Sequence, residues 1–238
     1  MEKKFELTEK YVVNELGTKL YQIKCTKTFE YAKKGELGGY IEREVNLSQE
    51  GNAWVSGDAQ VYGDARVSGD AWVSGDAQVS GNARVFGDAL VFGDARVSGD
   101  AKVSGNARVF GDAKVSGDAR VFGDARVSGD AQVYGDARVF GDAWVSGDAQ
   151  VYGNACLKSD ADHCGFDCFG SSNRHTHAYL TSDNTVEITC GCFRGSIEEF
   201  EKKVKNTHAG TVYENQYNAI INVIKIKFGS AQRQNRQV

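Results

Sequence analysis

Hydrophobic and polar positions follow a six-residue pattern along this chain from Gly51 to Lys158. Each hexad consists of Gly, Asp or Asn, Ala, a variable residue, an aliphatic residue that is nearly always Val, and a second variable residue; the hexads follow one another without a gap and number 18 units. In an extended Ala-x-Val-x segment, Ala and Val point to one side and the variable residues to the other. Gly-Asp and Gly-Asn are typical of tight turns. The pattern therefore predicts 18 short strands whose small apolar side chains face a common interior.

The variable residues before Val separate into three classes when every third hexad is compared. The first class is mostly apolar, the second mostly amide and the third nearly all basic. The members are Trp54, Trp72, Leu90, Arg108, Arg126 and Trp144; then Gln60, Gln78, Arg96, Lys114, Gln132 and Gln150; then Arg66, Arg84, Lys102, Arg120, Arg138 and Cys156. Two or four hexads per turn would mix these classes, so three are predicted. The expected fold is mainly β: a triangular parallel β-helix of about six turns, stacked about 4.8 Å apart.

The N-terminal segment, residues 1–50, lacks the repeat and is predicted to be a β cap. Short strands are expected around turns at residues 34–35 and 38–39. Ile41 and Leu47 stand three hexads before Ala59 and Ala65, so the first turn is expected to begin before the first hexad. Such a cap would cover the open strand edges at this end and prevent end-to-end polymerisation.

The hexad domain is predicted to span residues 51–164, and residues 165–238 to form a small α+β domain with a hairpin and two helices. Two alternating runs flank the turn-forming residues 182–185, which predicts the hairpin. Ser196 begins a capping box, and a helix follows it. The second helix is predicted from Tyr213 to Phe228, followed by a polar, loose tail. The apolar helix positions are Ile197, Phe200 and Val204, then Tyr217, Ile220, Ile221 and Ile224.

The hexads resemble a known structural group. Val followed four residues later by Ala is similar to the hexapeptide pattern of left-handed parallel β-helices, found in many acyltransferases; the left-handed sense is implied by this resemblance alone. The segments "GELGGYIE…NLSQEGNAWV" and "GSSNR…CGCFRGSIEEFEKKV…TH" resemble those flanking the repeats in uncharacterised hexapeptide-repeat proteins of bacteria and prophages. That resemblance implies a phage-associated accessory protein of the host cytoplasm.

Composition and charge exclude several classes of protein. The chain has 238 residues, 41% hydrophobic content and a formal net charge of −4, so a folded protein is expected and no partner is singled out. No apolar run approaches the roughly 20 residues that span a bilayer, and no signal-peptide pattern follows Met1. A cytoplasmic protein with reduced cysteines is therefore expected. The hexads contain no His and no insertion, which argues against the acyltransferase activity of the resembled group.

The outward faces suggest contacts. The first face carries an apolar strip, for which contact with a second subunit or with a folded-back terminal segment is expected, and a homo-oligomer is predicted. The strip consists of Trp54, Trp72, Leu90, Phe92, Phe110 and Trp144. The third face combines basic residues with Phe86, Phe122 and Phe140. Local pairing of its cations with the 14 corner Asp is expected rather than nucleic-acid binding. Mimicry of DNA by the Asp columns is a further alternative.

Two candidate sites lie in the C-terminal domain. The stretch 170–177, "GSSNRHTH", is predicted to be a ligand loop, because small residues, hydroxyls and Arg174 suit an anion. Its candidate ligand-binding residues are Ser171, Ser172, Asn173, Arg174, His175 and His177. The cysteines Cys164, Cys168, Cys190 and Cys192, with nearby histidines, are either reduced packing residues or zinc ligands. A Cys nucleophile activated by His175 or His177 is a third hypothesis.

The leading functional hypothesis is a non-enzymatic phage or prophage accessory protein. A β-helical scaffold would present a head that binds and inhibits a host factor, either a host protein or a small anionic ligand such as a nucleotide signal. No catalytic residue is assigned, and no cofactor is expected apart from the zinc hypothesis. The alternatives are an enzyme with its site around Arg174, His175, His177 and Cys190 to Cys192, a virion or fibre component, and a DNA-mimic inhibitor.

Overall fold

The computed structural model describes the backbone of residues 3–234 and the side chains of residues 3–229. It opens with three strands, β1 (Phe5–Val13), β2 (Lys19–Cys25) and β3 (Leu37–Ile41), paired antiparallel in sequence order. A 3₁₀ turn, Glu44–Asn46, then leads into the hexads. The predicted N-terminal β segment is therefore present.

Eighteen two-residue strands follow, one in each hexad. In chain order, β4 to β21 are Trp54–Val55, Gln60–Val61, Arg66–Val67, Trp72–Val73, Gln78–Val79, Arg84–Val85, Leu90–Val91, Arg96–Val97, Lys102–Val103, Arg108–Val109, Lys114–Val115, Arg120–Val121, Arg126–Val127, Gln132–Val133, Arg138–Val139, Trp144–Val145, Gln150–Val151 and Cys156–Leu157. Every third strand joins the same parallel sheet, as Leu90 opposite Trp72 and Arg108 shows. The three predicted faces are therefore three sheets around one core, and the period of three hexads per turn is confirmed.

The interior contains the Ala of every hexad and the Val that follows it, which is replaced by Leu157 in the last hexad, each at most 3% exposed. Each corner begins with a glycine at positive φ, from Gly51 to Gly153. At Gly99 an added Cβ would lie 2.9 Å from the backbone nitrogen of Gly117 in the next turn. Glycine is thus required twice, for the left-handed backbone and for the close stacking of corners.

One turn begins before the first hexad, so the solenoid has about seven turns rather than six. Ile41 in β3 pairs in parallel with Val61, and Leu47 forms a bridge with Val67. Ile41 and Leu47 therefore occupy Val positions and not the Ala positions predicted. The extra length of chain in this turn is accommodated by the non-repetitive segment around the 3₁₀ turn.

The first turn is closed by buried polar side chains. The Lys4 ammonium donates to the carbonyl oxygens of Glu50, Gly51 and Ala53, the last at 2.8 Å, and Lys4 is 1% exposed. Burial lowers the pKa of Lys4 to about 8. The Asn46 amide donates to two further carbonyl oxygens, of Gly63 and Ala65. These bonds satisfy backbone carbonyl oxygens at the end of the solenoid, where no further turn supplies amide donors.

The chain leaves the solenoid through a 3₁₀ turn, Asp160–Asp162, and forms a separate head. Its antiparallel sheet contains β22 (His163–Phe169), β23 (Arg174–Leu180), β24 (Val186–Cys190) and β25 (Phe193–Ser196) in that order. Two helices follow, α1 (Ile197–His208) and α2 (Val212–Gln234).

The predicted hairpin is β23 with β24, where Leu180 pairs with Val186, and it is confirmed. Ser196 caps α1 as predicted, by accepting from the Glu199 amide. Strands β22 and β25 were not predicted. The expectation of a loose tail was wrong for residues 230–234, which continue α2; residues 235–238 lie outside the described chain.

The head covers the last turn of the solenoid. Both the Thr189 hydroxyl and the His177 Nδ1 donate to the Gln150 carbonyl oxygen, each at 3.2 Å. Tyr179 belongs to the same buried cluster as the hexad core. The head thus packs over one end of the solenoid, and the N-terminal segment with Lys4 packs over the other.

Candidate functional site

The two sides of the head sheet have different surroundings, because side chains alternate along β23. Thr176 and Ala178 face the helices: Thr176 donates to the Cys190 sulfur, and Ala178 packs in the cluster that contains Phe200 and Ile221. His177, by contrast, reaches the last turn of the solenoid. The side chains of consecutive residues in the predicted ligand loop therefore lie on opposite sides of the head sheet.

A cavity of about 180 Å³ lies on the helix side, between the 170–174 loop, the turn after β24, α1 and the start of α2. It is called the head pocket below. The polar side chains that line it come from all four elements, and Phe193, Phe200 and Val204 form its apolar part. The polar residues are Ser171, Ser172, Arg174, Cys190, Cys192, Lys203, Thr207, His208 and Tyr217.

Two glycines give the pocket its shape. Gly191, at φ +59°, forms the turn between Cys190 and Cys192, and a Cβ there would clash with the Arg174 guanidinium. A Cβ added at Gly170, which has φ +73°, would likewise clash with the Tyr217 hydroxyl. Any larger residue at either position would displace a polar side chain of the pocket.

The electrostatics of the head pocket favour an anion. Arg174 and Lys203 have no hydrogen bond or ion pair to any residue that the structure describes, and no carboxylate is among the described lining residues. Burial, with a contribution from the Cys190 thiol 3.8 Å away, raises the pKa of Tyr217 to about 12. The phenol therefore stays neutral and remains a hydrogen-bond donor.

The predicted ligand loop contributes three of its six residues to this pocket: Ser171, Ser172 and Arg174. His175 and His177, which were predicted to belong to the same site, do not line this pocket. His175 bonds to Asp167 at 2.5 Å, and His177 contacts the solenoid. Asn173, at φ +47°, forms the turn and does not line the cavity. Strand alternation in β23 causes the division.

The enzyme hypothesis placed His175 and His177 in one site with Cys190 to Cys192. Cys190 lies on the helix side of the sheet, whereas His175 and His177 lie on the other. The structure thus does not form the cysteine–histidine pairs considered from the sequence.

The four cysteines are not arranged as zinc ligands. Cys190 is buried against Thr176 and Tyr217, while Cys168 and Cys192 are exposed. In residues 3–234 no group of three or more His, Cys, Asp or Glu side chains is arranged to hold a metal ion. These cysteines, with Cys164, do not form the predicted zinc site.

Sequence reasoning missed the helix contribution to the pocket. Lys203, an exposed residue of α1, lines the cavity and was not among the candidate ligand-binding residues. Phe193, Thr207, His208 and Tyr217 were not assigned to any site. Residues 200, 203, 204, 207 and 208 share one helical face, which is the signal that marks this side of α1.

Three histidines meet where the head contacts the solenoid. The Gln150 carbonyl can only accept, so His177 carries its proton on Nδ1, and its Nε2 accepts from His163 Nδ1 at 3.0 Å. Burial, and then the neighbouring His163, lower the pKa of His177 to about 3. Burial also lowers the pKa of His163. At neutral pH the hydrogen bond between His163 and His177 therefore joins two neutral imidazoles.

We expect the head to lose stability in mild acid because of His177. The unfolded chain protonates this side chain below about pH 6.5, but the folded chain does not until about pH 3. Its contribution is therefore complete above pH 6.5 and declines as pH falls, by about 2 kcal/mol between pH 7 and pH 5. Chemical denaturation followed by circular dichroism at several pH values measures this slope. His177→Asn keeps a donor but does not titrate, so it should flatten the slope; equal slopes would refute the assignment.

The apolar strip of the first face is partly covered by the chain itself. Trp54 is fully buried, and Phe29 packs against it edge-on at 5.4 Å. Tyr31 stacks on Trp72 at 5.6 Å. The folded-back segment, one of the two alternatives, covers Trp54 and contacts Trp72, which stays 39% exposed. Leu90, Phe92, Phe110 and the exposed Trp144 remain on the surface, and their contact with a second subunit stays a prediction.

The basic third face does not pair with its corners as expected. Among described residues, no hexad Arg or Lys lies within 4 Å of a carboxylate oxygen; the one corner Asp in an ion pair, Asp64, pairs with Arg43 outside the hexads. The hexad cations therefore have no local counter-charge in contact.

Comparison with known proteins identifies the repeat. The YdcK β-solenoid repeat matches five segments, at residues 59–75, 77–91, 101–117, 113–129 and 131–147. All five lie within the hexads, and with the three parallel sheets they show a β-solenoid repeat protein. No curated protein sequence matches the chain. In residues 3–234, no helix has the length and apolar character needed to cross a membrane.

Proposed function

We propose that this chain is a non-enzymatic binding protein whose solenoid holds and spaces a head, and whose head pocket binds an anionic group of the target. The observation that carries this proposal is the pairing of two uncompensated cations, Arg174 and Lys203, with hydroxyl donors in one cavity. Both side chains are exposed and line the cavity, so an anion that enters it can form charge-assisted hydrogen bonds with them.

The cavity also limits the ligand. At about 180 Å³ it is smaller than the roughly 300 Å³ at which pockets for drug-sized molecules begin. A whole nucleotide is therefore disfavoured. A phosphate or carboxylate fits the cations and Ser171 and Ser172, and a small apolar or aromatic part fits Phe193 and Phe200. The group belongs either to a small molecule or to a side chain of a larger target.

The finer proposal concerns the biological setting. The resemblance of the end segments to prophage-encoded repeat proteins supports a phage accessory protein acting in the host cytoplasm. The target would then be a host factor, inhibited when its anionic group enters the head pocket. This setting rests on the resemblance, whereas the anion pocket rests on the geometry of the head.

We expect Arg174→Ala to weaken anion binding about 10-fold to 100-fold, as the loss of a charge-assisted hydrogen bond predicts. Calorimetric titration with phenyl phosphate, which combines an anion with a ring, and with inorganic phosphate measures the effect. Lys203→Ala should weaken the binding of both ligands as well. Lys202→Ala is the matched control, because Lys202 is exposed on the same helix and does not line the cavity.

The proposal predicts tighter binding of phenyl phosphate than of phosphate, with both lost in Arg174→Ala/Lys203→Ala. Circular dichroism checks that the variants are folded. Binding of neither probe to the wild type, or equal loss in Lys202→Ala, would contradict an anion site in the head pocket.

A further inference from the structure

The third face of the solenoid carries a continuous ladder of positive charge. Arg66, Arg84, Lys102, Arg120 and Arg138 pair directly with one another in five successive turns. Like charges placed opposite each other on neighbouring strands are destabilising. No carboxylate oxygen among the described residues lies within 4 Å of these five side chains to offset that repulsion. We call this set the cationic ladder.

The groove beside the ladder is open and polar. It has a volume of about 430 Å³ and extends along the side chains of Arg66, Arg84, Lys102 and Arg120. Its other edge is formed by corner residues, Asp64, Asn82, Asp100 and Asp118. The face therefore presents a linear site that repeats once per turn.

The three corners of the prism differ in how far repulsion between their stacked Asp side chains is relieved. In two of them asparagine interrupts the carboxylates: the Asn82 amide donates to Asp100 and the Asn106 amide to Asp124. The third corner, between the first and second faces, has aspartate in all six turns and no such bond among its described side chains. This six-Asp corner consists of Asp58, Asp76, Asp94, Asp112, Asp130 and Asp148.

We propose that the cationic ladder of one chain binds the six-Asp corner of a second copy, so that solenoids associate side by side. Both ladders repeat once per turn of three hexads and advance by the same step, so one in-register contact brings the others into register. Each ladder supplies the counter-charge that the other lacks. Because the corner lies opposite the third face across the triangle, a copy that binds through one of these surfaces keeps the other, of opposite sign, free.

The consequence for assembly is an open contact. The ladder and the corner are different surfaces, so the interface is heterologous and does not close at two copies. Mass is expected to grow with concentration beyond a dimer, in rows of solenoids. The surface is distinct from the apolar strip of the first face, and it needs no residue of the head pocket.

A nucleic acid is a poorer partner for the same ladder. Phosphates advance by about 3.4 Å per nucleotide along each strand of a duplex, which does not match strands about 4.8 Å apart. Asp64, Asp100 and Asp118 at the edge of the groove would also repel a polyanion. A carboxylate ladder of equal step, carried on a convex corner, avoids the first of these costs.

Charge reversal tests the proposal. Arg84→Glu/Arg120→Glu reverses two rungs of the ladder, and Asp94→Lys/Asp130→Lys reverses two rungs of the corner at the same spacing. In low salt, analytical ultracentrifugation should find the wild type associated and each variant at the mass of a single chain. An equimolar mixture of the two variants should recover association, since the unchanged corner of the first variant then meets the unchanged ladder of the second.

Salt and matched controls complete the experiment. About 1 M salt shortens the Debye length to about 3 Å and should return the wild type to single chains. Arg96→Glu/Lys114→Glu on the second face and Asp88→Lys/Asp124→Lys on another corner change net charge equally and should still associate. Circular dichroism verifies folding. A single-chain wild type in low salt, a mixture that stays dissociated, or a ladder that binds an oligonucleotide while copies do not associate would overturn the proposal.

Discussion

Val103→Asp should disrupt the middle of the solenoid, whereas Ser104→Asp, one residue further on, should leave it folded. Val103 is fully buried among the hexad valines, and Ser104 points outward. A buried carboxylate without a partner must be desolvated or neutralised, and we expect a loss of more than about 4 kcal/mol. Each turn is stabilised mainly by its neighbours, so the defect should separate the turns on either side into independently unfolding blocks.

Hydrogen exchange along the chain distinguishes these results. For Val103→Asp, amides around residues 85–121 should lose protection first, while the terminal turns keep some of theirs. For Ser104→Asp the protection pattern should match the wild type. Equal loss of protection in both variants would contradict the inward and outward assignment of the hexad positions.

Lys4→Leu should open the N-terminal end of the solenoid. The substitution removes a buried ammonium that donates to the carbonyl oxygens of Glu50, Gly51 and Ala53, and leaves these acceptors without a donor. Each unsatisfied buried group costs about 1–3 kcal/mol, so a total loss of about 3–5 kcal/mol is expected. The damage should be confined to the first turns, because distant turns do not contact Lys4.

Thermal unfolding together with hydrogen exchange of residues 51–73 measures this effect. Lys3→Leu is the matched control: its ammonium forms an exposed pair with Glu44 at 2.7 Å, for which less than about 1 kcal/mol is expected. Exposed first-turn edges should also make Lys4→Leu prone to association through strand pairing. A first turn as well protected in Lys4→Leu as in Lys3→Leu would be inconsistent with the capping role of Lys4.

The solenoid was predictable because its determinants are local. Inward Ala and Val, corner glycines and the segregation of outward residues in every third hexad each point to three hexads per turn, and the pairing of Leu90 with Arg108 has that spacing. The shift of Ile41 from an Ala to a Val position was not predictable, since it depends on the path of non-repetitive chain.

The head pocket was predictable only in part. Arg174 was predicted as a candidate ligand-binding residue because a Gly-Ser-rich loop with a basic residue suits an anion. Lys203 and Tyr217 were missed because their approach to Arg174 depends on how two helices dock on the sheet, which no local pattern specifies. Strand β22 was missed for a related reason: none of its seven residues is buried, so it lacks the apolar alternation of a buried strand.

Eighteen hexads with one interior also give this molecule an adjustable length. Since every turn has the same Ala and Val lining and the same glycine corners, removing three hexads would shorten the rod by about 4.8 Å and leave both ends in their present relation. Removing a single hexad would instead rotate the head by a third of a turn about the rod. The number of whole turns thus sets the distance of the head from the N-terminal end. Any hexads beyond a whole number of turns set the direction in which the head faces.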